Sequence, residues 1–221
     1  MKKYYEAYEQ RYRAVHEKND RWTSDVPTPA VIGTIEKYCD KSKSILEIGC
    51  GEGRDAKAVL GAGYDLTAAD ISPSAVRFCQ KLMPQHKDRF IRLDCLNGTH
   101  GKKYDMIYAV AVLHMLTDDA DREKFYSFIK DHLKDGGSAL VCSMGDGETE
   151  FCTDPSKAFE PAEREHNGKK IKVASTTCRI VSFDTFEDEI GRAGFEIKEK
   201  GVTASPPEFD SLMYAVIRRK K

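Results

Sequence analysis

Between residues 44 and 143 the chain repeats one pattern: a short apolar run, a turn, then a stretch whose apolar residues return at three- and four-residue steps. Short runs bounded by glycine or proline read as buried strands, and the longer period reads as helices packed on one side. Ser44-Ile45-Leu46-Glu47-Ile48 is predicted as a first strand stopped by Gly49, and Arg54 to Leu60 as a helix ended by Gly61 and Gly63. Tyr64 to Ala69 is the second predicted strand. Ser72 then offers an N-cap and Pro73 a first helical residue. Phe90 to Leu93 and Tyr104 to Ala109 are the third and fourth predicted strands. Phe125, Phe128, Ile129, His132 and Leu133 mark the apolar face of a helix, Asp135-Gly136-Gly137 its end, and Ser138 to Ser143 a fifth strand.

Strands alternating with helices imply parallel pairing through right-handed crossovers, hence an α/β doubly wound sheet with helices on both faces. The tail departs from this rhythm. Phe183 to Ala193 reads as a helix with Gly194 as its stop, followed by Phe195–Lys200 and Leu212–Arg218, an antiparallel pair around a Pro206-Pro207 turn. Residues 144–178 are charged and rich in Gly and Pro, and read as an inserted cap or loop. Residues 1–40 read as helical and aromatic-rich.

The 221 residues carry 35 Lys+Arg against 36 Asp+Glu, a net charge of −1, which argues against a dedicated nucleic-acid binder. The one dense basic run, Arg218-Arg219-Lys220-Lys221, reads as a solvated tail. No apolar stretch approaches the length of a membrane span, and the polar start Met1-Lys2-Lys3-Tyr4-Tyr5-Glu6 lacks the apolar core of a signal peptide. Cys39, Cys50, Cys79, Cys95, Cys142, Cys152 and Cys178 form no Cys-x-x-Cys pair, so the expectation is reduced thiols in a cytoplasmic protein, without a structural metal.

The richest chemistry lies in Ile45-Leu46-Glu47-Ile48-Gly49-Cys50-Gly51-Glu52-Gly53-Arg54-Asp55-Ala56, where a strand ends in three alternating glycines and feeds a helix. Glycine admits positive φ and lets a ligand approach the backbone. Free N–H groups at the helix start favour an anionic group, and open α/β sheets bind ligands at the carboxyl ends of their strands. A dinucleotide fingerprint would place its third glycine where Arg54 stands; a long cation there suits a carboxylate better than a pyrophosphate. Asp70, 21 residues after Gly49 at the end of the second strand, is placed to accept both hydroxyls of a ribose. Asp94 closes the third strand, where it could accept from an adenine amino group. Ala109-Val110-Ala111 after the fourth strand leaves room for a flat ring.

The run Glu47 to Gly53 resembles motif I of class I S-adenosylmethionine (SAM)-dependent methyltransferases. Asp70, Asp94, Tyr104–His114, Leu133-Lys134-Asp135-Gly136-Gly137 and Phe183–Phe195 are similar to the motifs that follow it, in order, so the resemblance covers about residues 27–218. It implies a seven-stranded, mostly parallel Rossmann-like sheet with an antiparallel last strand. The chain would then be one methyltransferase domain: an N-terminal helical lid (1–40), a cofactor-binding core (41–143), the inserted cap (144–178), and the last helix and hairpin (179–221). The implied cofactor is SAM, with S-adenosylhomocysteine as product.

By the same resemblance Glu47, Gly49, Cys50, Gly51 and Gly53 would form the loop against the methionine part. Asp70 and Ile71 would hold the ribose, Asp94 and Cys95 the adenine, and Ala109 and Val110 would lie near the sulfonium. Arg54 would stand near the methionine carboxylate or brace the N-terminal segment. Trp22 is expected on the cofactor side of an access loop. Tyr5, Tyr8 and Tyr12, at helical spacing, could close over the acceptor, and their faces attract cations. His166 in the cap is a second acceptor-side candidate, and His114 the candidate base.

The acceptor is expected to be a small molecule. No Asn/Asp-Pro-Pro-aromatic tetrad follows the fourth strand, and no basic recognition domain is appended. Monomer and homodimer both remain open. Two rival readings stand beside this one. A nicotinamide-dependent oxidoreductase draws on the glycine loop and on Tyr126-x-x-x-Lys130, but it lacks the third glycine. A non-catalytic SAM-binding or partner-binding module is the second.

Overall fold

The structure is a computed structural model describing residues 3–18, 20–166, 168–206 and 208–220, without the side chains of His166 and Lys169. Pro207 of the expected turn and Lys221 of the basic run lie outside the described residues. The N-terminal segment opens with a short 3-10 turn and α1 (Ala7–His16), then α2 (Pro29–Tyr38). There follow β1 (Ser44–Ile48), α3 (Arg54–Gly61), β2 (Asp65–Asp70), α4 (Pro73–Leu82), β3 (Phe90–Arg92) and β4 (Tyr104–Val110). The chain continues through α5 (Asp119–His132), β5 (Leu133–Met144), β6 (Phe151–Cys152), β7 (Pro161–His166), β8 (Lys169–Ala174) and β9 (Arg179–Ile180). It ends with α6 (Phe183–Arg192), β10 (Phe195–Ser205) and β11 (Phe209–Arg219).

Seven strands form one sheet in the order β10-β11-β5-β4-β1-β2-β3. β1 pairs in parallel with β2 and β4, β2 with β3, and β4 with β5, while β11 runs antiparallel to both β5 and β10. The two-residue period of the strands divides the core. Leu46 and Ile48, Ile107 and Ala109, and Ala139 and Val141 face one side, beneath Phe125, Phe128 and Ile129 of α5 and Phe186 and Ile190 of α6. Ile45, Met106, Tyr108, Leu140 and Cys142 face the other, beneath Val31 and Ile35 of α2, Val59 of α3 and Val76 of α4. Both faces are therefore covered, as a parallel sheet requires.

The elements differ from expectation at four places. Gly136 and Gly137 do not end α5, which stops at His132; they lie inside β5, where a register irregularity opposite Tyr104–Met106 absorbs them. Cross-strand crowding explains the need for glycine, since a Cβ on Gly137 would lie 2.9 Å from the Asp105 carbonyl oxygen. The last hairpin is longer than its apolar runs, because Glu199, Lys200 and Thr203 pair across it while facing outward. Arg218 and Arg219 belong to β11 rather than to a tail: Arg218 donates to Ser138 Oγ at 2.8 Å, and Arg219 reaches Asp135 at 2.5 Å. The cap, too, is more regular than its composition suggests, since β7 and β8 form an antiparallel hairpin and β6 pairs with β9.

Candidate active site

The loop after β1 takes a left-handed backbone at all three glycines: φ is +73° at Gly49, +53° at Gly51 and +78° at Gly53. Close approach adds to the need at Gly49, where a Cβ would sit 2.3 Å from Val112 Cγ2, and at Gly51, where it would sit 2.7 Å from the Tyr12 hydroxyl. Val112 reaches Gly49 because Ala111, just past β4, is itself left-handed at φ +57°. A non-glycine residue held there carries strain, which the surrounding fold sustains.

Asp70 organises the loop. Its carboxylate accepts the Gly51 N–H at 2.8 Å and the Ser72 N–H at 2.8 Å, fastening the turn after β1 to the start of α4. Burial pushes this carboxyl up to about 6, although the Ser72 and Gly51 N–H donors pull it the other way. Asp94 closes its own turn, accepting the Leu96 N–H at 2.9 Å and an Asn97 amide hydrogen at 2.9 Å. Burial pushes the neighbouring Cys95 thiol up to about 12.

These residues face a cavity at the carboxyl ends of β1, β2 and β4. Ile48, Gly49, Asp70, Ile71, Asp94 and Cys95 form its floor and one wall. Leu93, Leu96, Val112, Met115 and Leu116 make the rest mostly apolar, and Tyr5, Tyr8 and Tyr12 roof it. The structure thus brings together the predicted Gly49, Asp70, Ile71, Asp94, Cys95 and all three tyrosines.

The other expected residues stand elsewhere. Arg54 turns away from the cavity and pairs with Glu208 at 2.9 Å, with Thr28 Oγ1 at 3.4 Å. Of its two expected positions this is the bracing one. Glu47 faces Tyr108 across β1 and β4 beneath the loop; burial, and then the Asp55 charge, raise its carboxyl well above the usual range. Cys50 is buried among the residues under the sheet, and the Cys79 thiol reaches the Gly51 carbonyl at 3.3 Å. Gly53 is the N-cap of α3, and Ala109 and Val110 are packed into the core. Trp22 lies over the Arg11 guanidinium, 5.0 Å from its ring centre, outside the cavity lining.

His114 is buried, edge-on to Phe209 with ring centres 5.6 Å apart, and its Nδ1 has no hydrogen-bond partner among the described residues. Burial, then the Arg122 and Arg11 charges, push its pKa down to about 3, so it is neutral at ordinary pH. His166 ends β7, and its side chain is outside the described residues. In the α5 motif Tyr126 is buried against Phe125 and Phe195, and Lys130 reaches the Ala193 carbonyl. The pair therefore lies on the back of the sheet, away from the cavity.

Sequence reading missed the groups that hold the lid down. Glu52 accepts the Trp22 N–H at 2.9 Å, the Thr23 N–H at 2.7 Å, the Thr23 hydroxyl at 3.0 Å and a His16 ring contact at 2.8 Å. Glu9 of α1 accepts the Ser72 and Ser74 hydroxyls at 2.6 and 2.7 Å. Asp55 accepts from Thr28 at 2.6 and 3.0 Å. Each of these acids reads locally as a solvated helix or loop charge, and no nearby sequence signal marks its partner.

A glycine loop answered by an acid after the second strand, on a seven-stranded sheet whose last strand is reversed, defines the SAM-dependent methyltransferase fold that the sequence resembles. Residues 46–139 match the family model described as a methyltransferase domain. Among curated proteins, an Encephalitozoon cuniculi protein carrying a provisional methyltransferase name is 25% identical over 111 residues, half of each chain. Hemagglutinin 1 of Eikenella corrodens is 32% identical over 107 residues, 46% of this chain and 34% of that one. The chain thus spans half or less of the curated relatives it matches.

Solved structures agree in fold. The glycopeptide N-methyltransferase MtfA superposes with a TM-score of 0.69 at 18% identity, covering 91% of this chain and 93% of its own. The 1,6-didemethyltoxoflavin-N1-methyltransferase of Burkholderia thailandensis gives 0.71 at 15% identity, covering 97% and 88%.

Proposed function

We propose that the chain is a SAM-dependent methyltransferase acting on a small-molecule acceptor. The observation that carries this reading is the Asp70 carboxylate, buried at the cavity floor and clamped to Gly51. Each of its oxygens accepts one backbone N–H and keeps a lone pair for a further donor. The mostly apolar walls suit a flat ring, and Asp94 with Cys95 lies at the end where an adenine would sit. The residues present therefore fit the cofactor. Asp70 and Ile71 would take the ribose, Asp94 and Cys95 the adenine, and Gly49 the methionine part. Arg54 is engaged by Glu208 and is assigned to bracing the N-terminal segment.

When bound, SAM supplies an electrophilic methyl group; the protein's own work is alignment and exclusion of water. Tyr5, Tyr8 and Tyr12 roof the cavity, and Glu9 and Glu52 hold that roof shut. His114, being neutral and a weak base, serves the acceptor side as a hydrogen-bonding group rather than as a strong proton acceptor. The small-molecule acceptor is supported by the cavity's mostly apolar lining and by two structures of this fold whose names give a glycopeptide and 1,6-didemethyltoxoflavin.

Calorimetric titration with SAM and with NADPH tests the binding step, with SAM expected to bind and NADPH not. Incubation with methyl-labelled SAM and a metabolite extract tests turnover. Tight binding with no labelled product would make the chain a binding module, and NADPH binding alone would overturn the reading.

A further inference from the structure

Arg11, on the inner face of α1, is 8% exposed. Its guanidinium lies between two aromatic rings, 5.1 Å from the centre of Tyr8 and 5.0 Å from that of Trp22. Nη2 donates to Thr176 Oγ1 at 2.7 Å, while Nε is buried with no hydrogen-bond partner. Among the described residues no carboxylate comes within ion-pair distance. The charged side chain that acts on it most is a second cation, Arg164 of β7, and the other titratable groups facing it are the Tyr8 and Tyr12 phenols. His114, whose Nδ1 is the second buried unpartnered nitrogen here, feels the Arg11 charge. Next to Thr176, the Thr177 hydroxyl donates to the Met115 carbonyl at 2.6 Å. Tyr8, against which the guanidinium stacks, and Met115 are also cavity walls, so Arg11 stands directly behind the proposed methyl-transfer site.

A cation buried without a counter-ion is costly to hold. Arginine flanked by aromatic faces keeps its N–H edge free, and that planar edge matches a carboxylate or phosphate. Resting on the methyltransferase reading, we propose that Arg11 is the anion-binding group of the acceptor site, and that the acceptor presents a carboxylate or phosphate to Arg11 Nε and the His114 ring N–H. Arg164 adds positive charge from the hairpin side. The cap thereby contributes to selecting the substrate and is more than a cover.

Trp22 is the chain's single tryptophan and lies against the guanidinium, so it reports on Arg11 directly. Benzoate and its neutral isostere benzamide are titrated calorimetrically at fixed ionic strength, and inorganic phosphate is followed by Trp22 fluorescence, each with and without S-adenosylhomocysteine. The expected result is saturable binding of benzoate or phosphate, none of benzamide, and a loss of about tenfold or more in Arg11→Gln, the scale of a charged hydrogen bond. Arg11→Lys should retain part of the affinity. S-Adenosylhomocysteine should bind wild type and Arg11→Gln within about twofold of each other.

Equal binding of benzoate and benzamide, or no binding of either anion to the wild-type protein, would overturn the proposal without any variant. An equally large loss of S-adenosylhomocysteine affinity in Arg11→Gln would overturn it too, because Arg11 would then serve the cofactor's carboxylate. If S-adenosylhomocysteine fails to bind the wild-type protein at all, the failure belongs to the methyltransferase reading, and the anion titrations without it still decide the subsite.

Discussion

At Gly49 two constraints act on one atom position. The φ of +73° disfavours any L side chain, and Val112 Cγ2 lies 2.3 Å from where a Cβ would be. Gly49→Ala should therefore cost more than the roughly 1 kcal/mol of an ordinary glycine effect, read as a lowered melting temperature. Gly61→Ala is the control: it has open space around its Cβ position and no positive φ, so its melting temperature should hold or rise. Asp70 makes a different prediction. Its carboxyl titrates at about 6 in the fold, above the ordinary value of 3.8, so it gains a proton as pH falls through 6. A protonated carboxyl accepts ribose hydroxyls poorly. SAM affinity should fall between pH 8 and pH 5 in the wild type. It should be weaker by about 1–3 kcal/mol and nearly independent of pH in Asp70→Ala, as measured by calorimetry. Unchanged affinity in Asp70→Ala would remove Asp70 from the site.

Between elements, the firmest polar tie joins α5 to α6. Arg122 donates to both Glu189 oxygens at 2.8 and 2.7 Å, and to the Leu113 and Leu116 carbonyls at 2.9 and 3.2 Å. It therefore also fixes the turn that carries His114. Removing one partner of such a buried pair strands the other, and Arg122→Ala should cost about 3–5 kcal/mol in denaturant unfolding. Glu189→Gln, which keeps the shape and one acceptor, should cost less. This tie was not legible in the sequence, where Arg122 and Glu189 are two charges 67 positions apart. The strands are legible because burial on both faces writes near-continuous apolar runs, as in Met106–Val110 and, interrupted only by Glu47, Ile45–Ile48. The loop was legible because only glycine meets its dihedrals. The hairpin β7–β8 was not, since charged residues such as Glu163, Arg164, Glu165 and Lys172 alternate there with few apolar ones. The roof tyrosines show their helical spacing, but nothing in the local sequence marks Arg11 between them. Its role comes from what α1 is laid against, and local sequence does not encode that.

Over the whole molecule, the cavity sits where the carboxyl edge of the sheet meets the N-terminal lid, and the cap hairpin packs against α1 of that lid. The two cores of the sheet are closed mainly by α2 to α6, so within residues 1–40 the separable part is the segment before α2. The lid is held to the sheet mainly by carboxylates, and Glu52 gathers most of those bonds while only 1% exposed. Despite burial, which alone would raise it, its pKa is lowered by hydrogen bonds from His16, Trp22 and Thr23. A carboxyl lowered in the folded state lends stability above its ordinary pKa and loses it as pH falls below. The lid should thus loosen in acid before the sheet unfolds. In hydrogen exchange at pH 7, Glu52→Gln should raise exchange at residues 20–24 and in α1, and leave β1, β4 and β5 protected as in the wild type. It should also speed S-adenosylhomocysteine release, because the roof tyrosines ride on α1. Equal deprotection of lid and sheet would mean that the two unfold as one unit, and the lid would then be part of the core rather than a cover over the site.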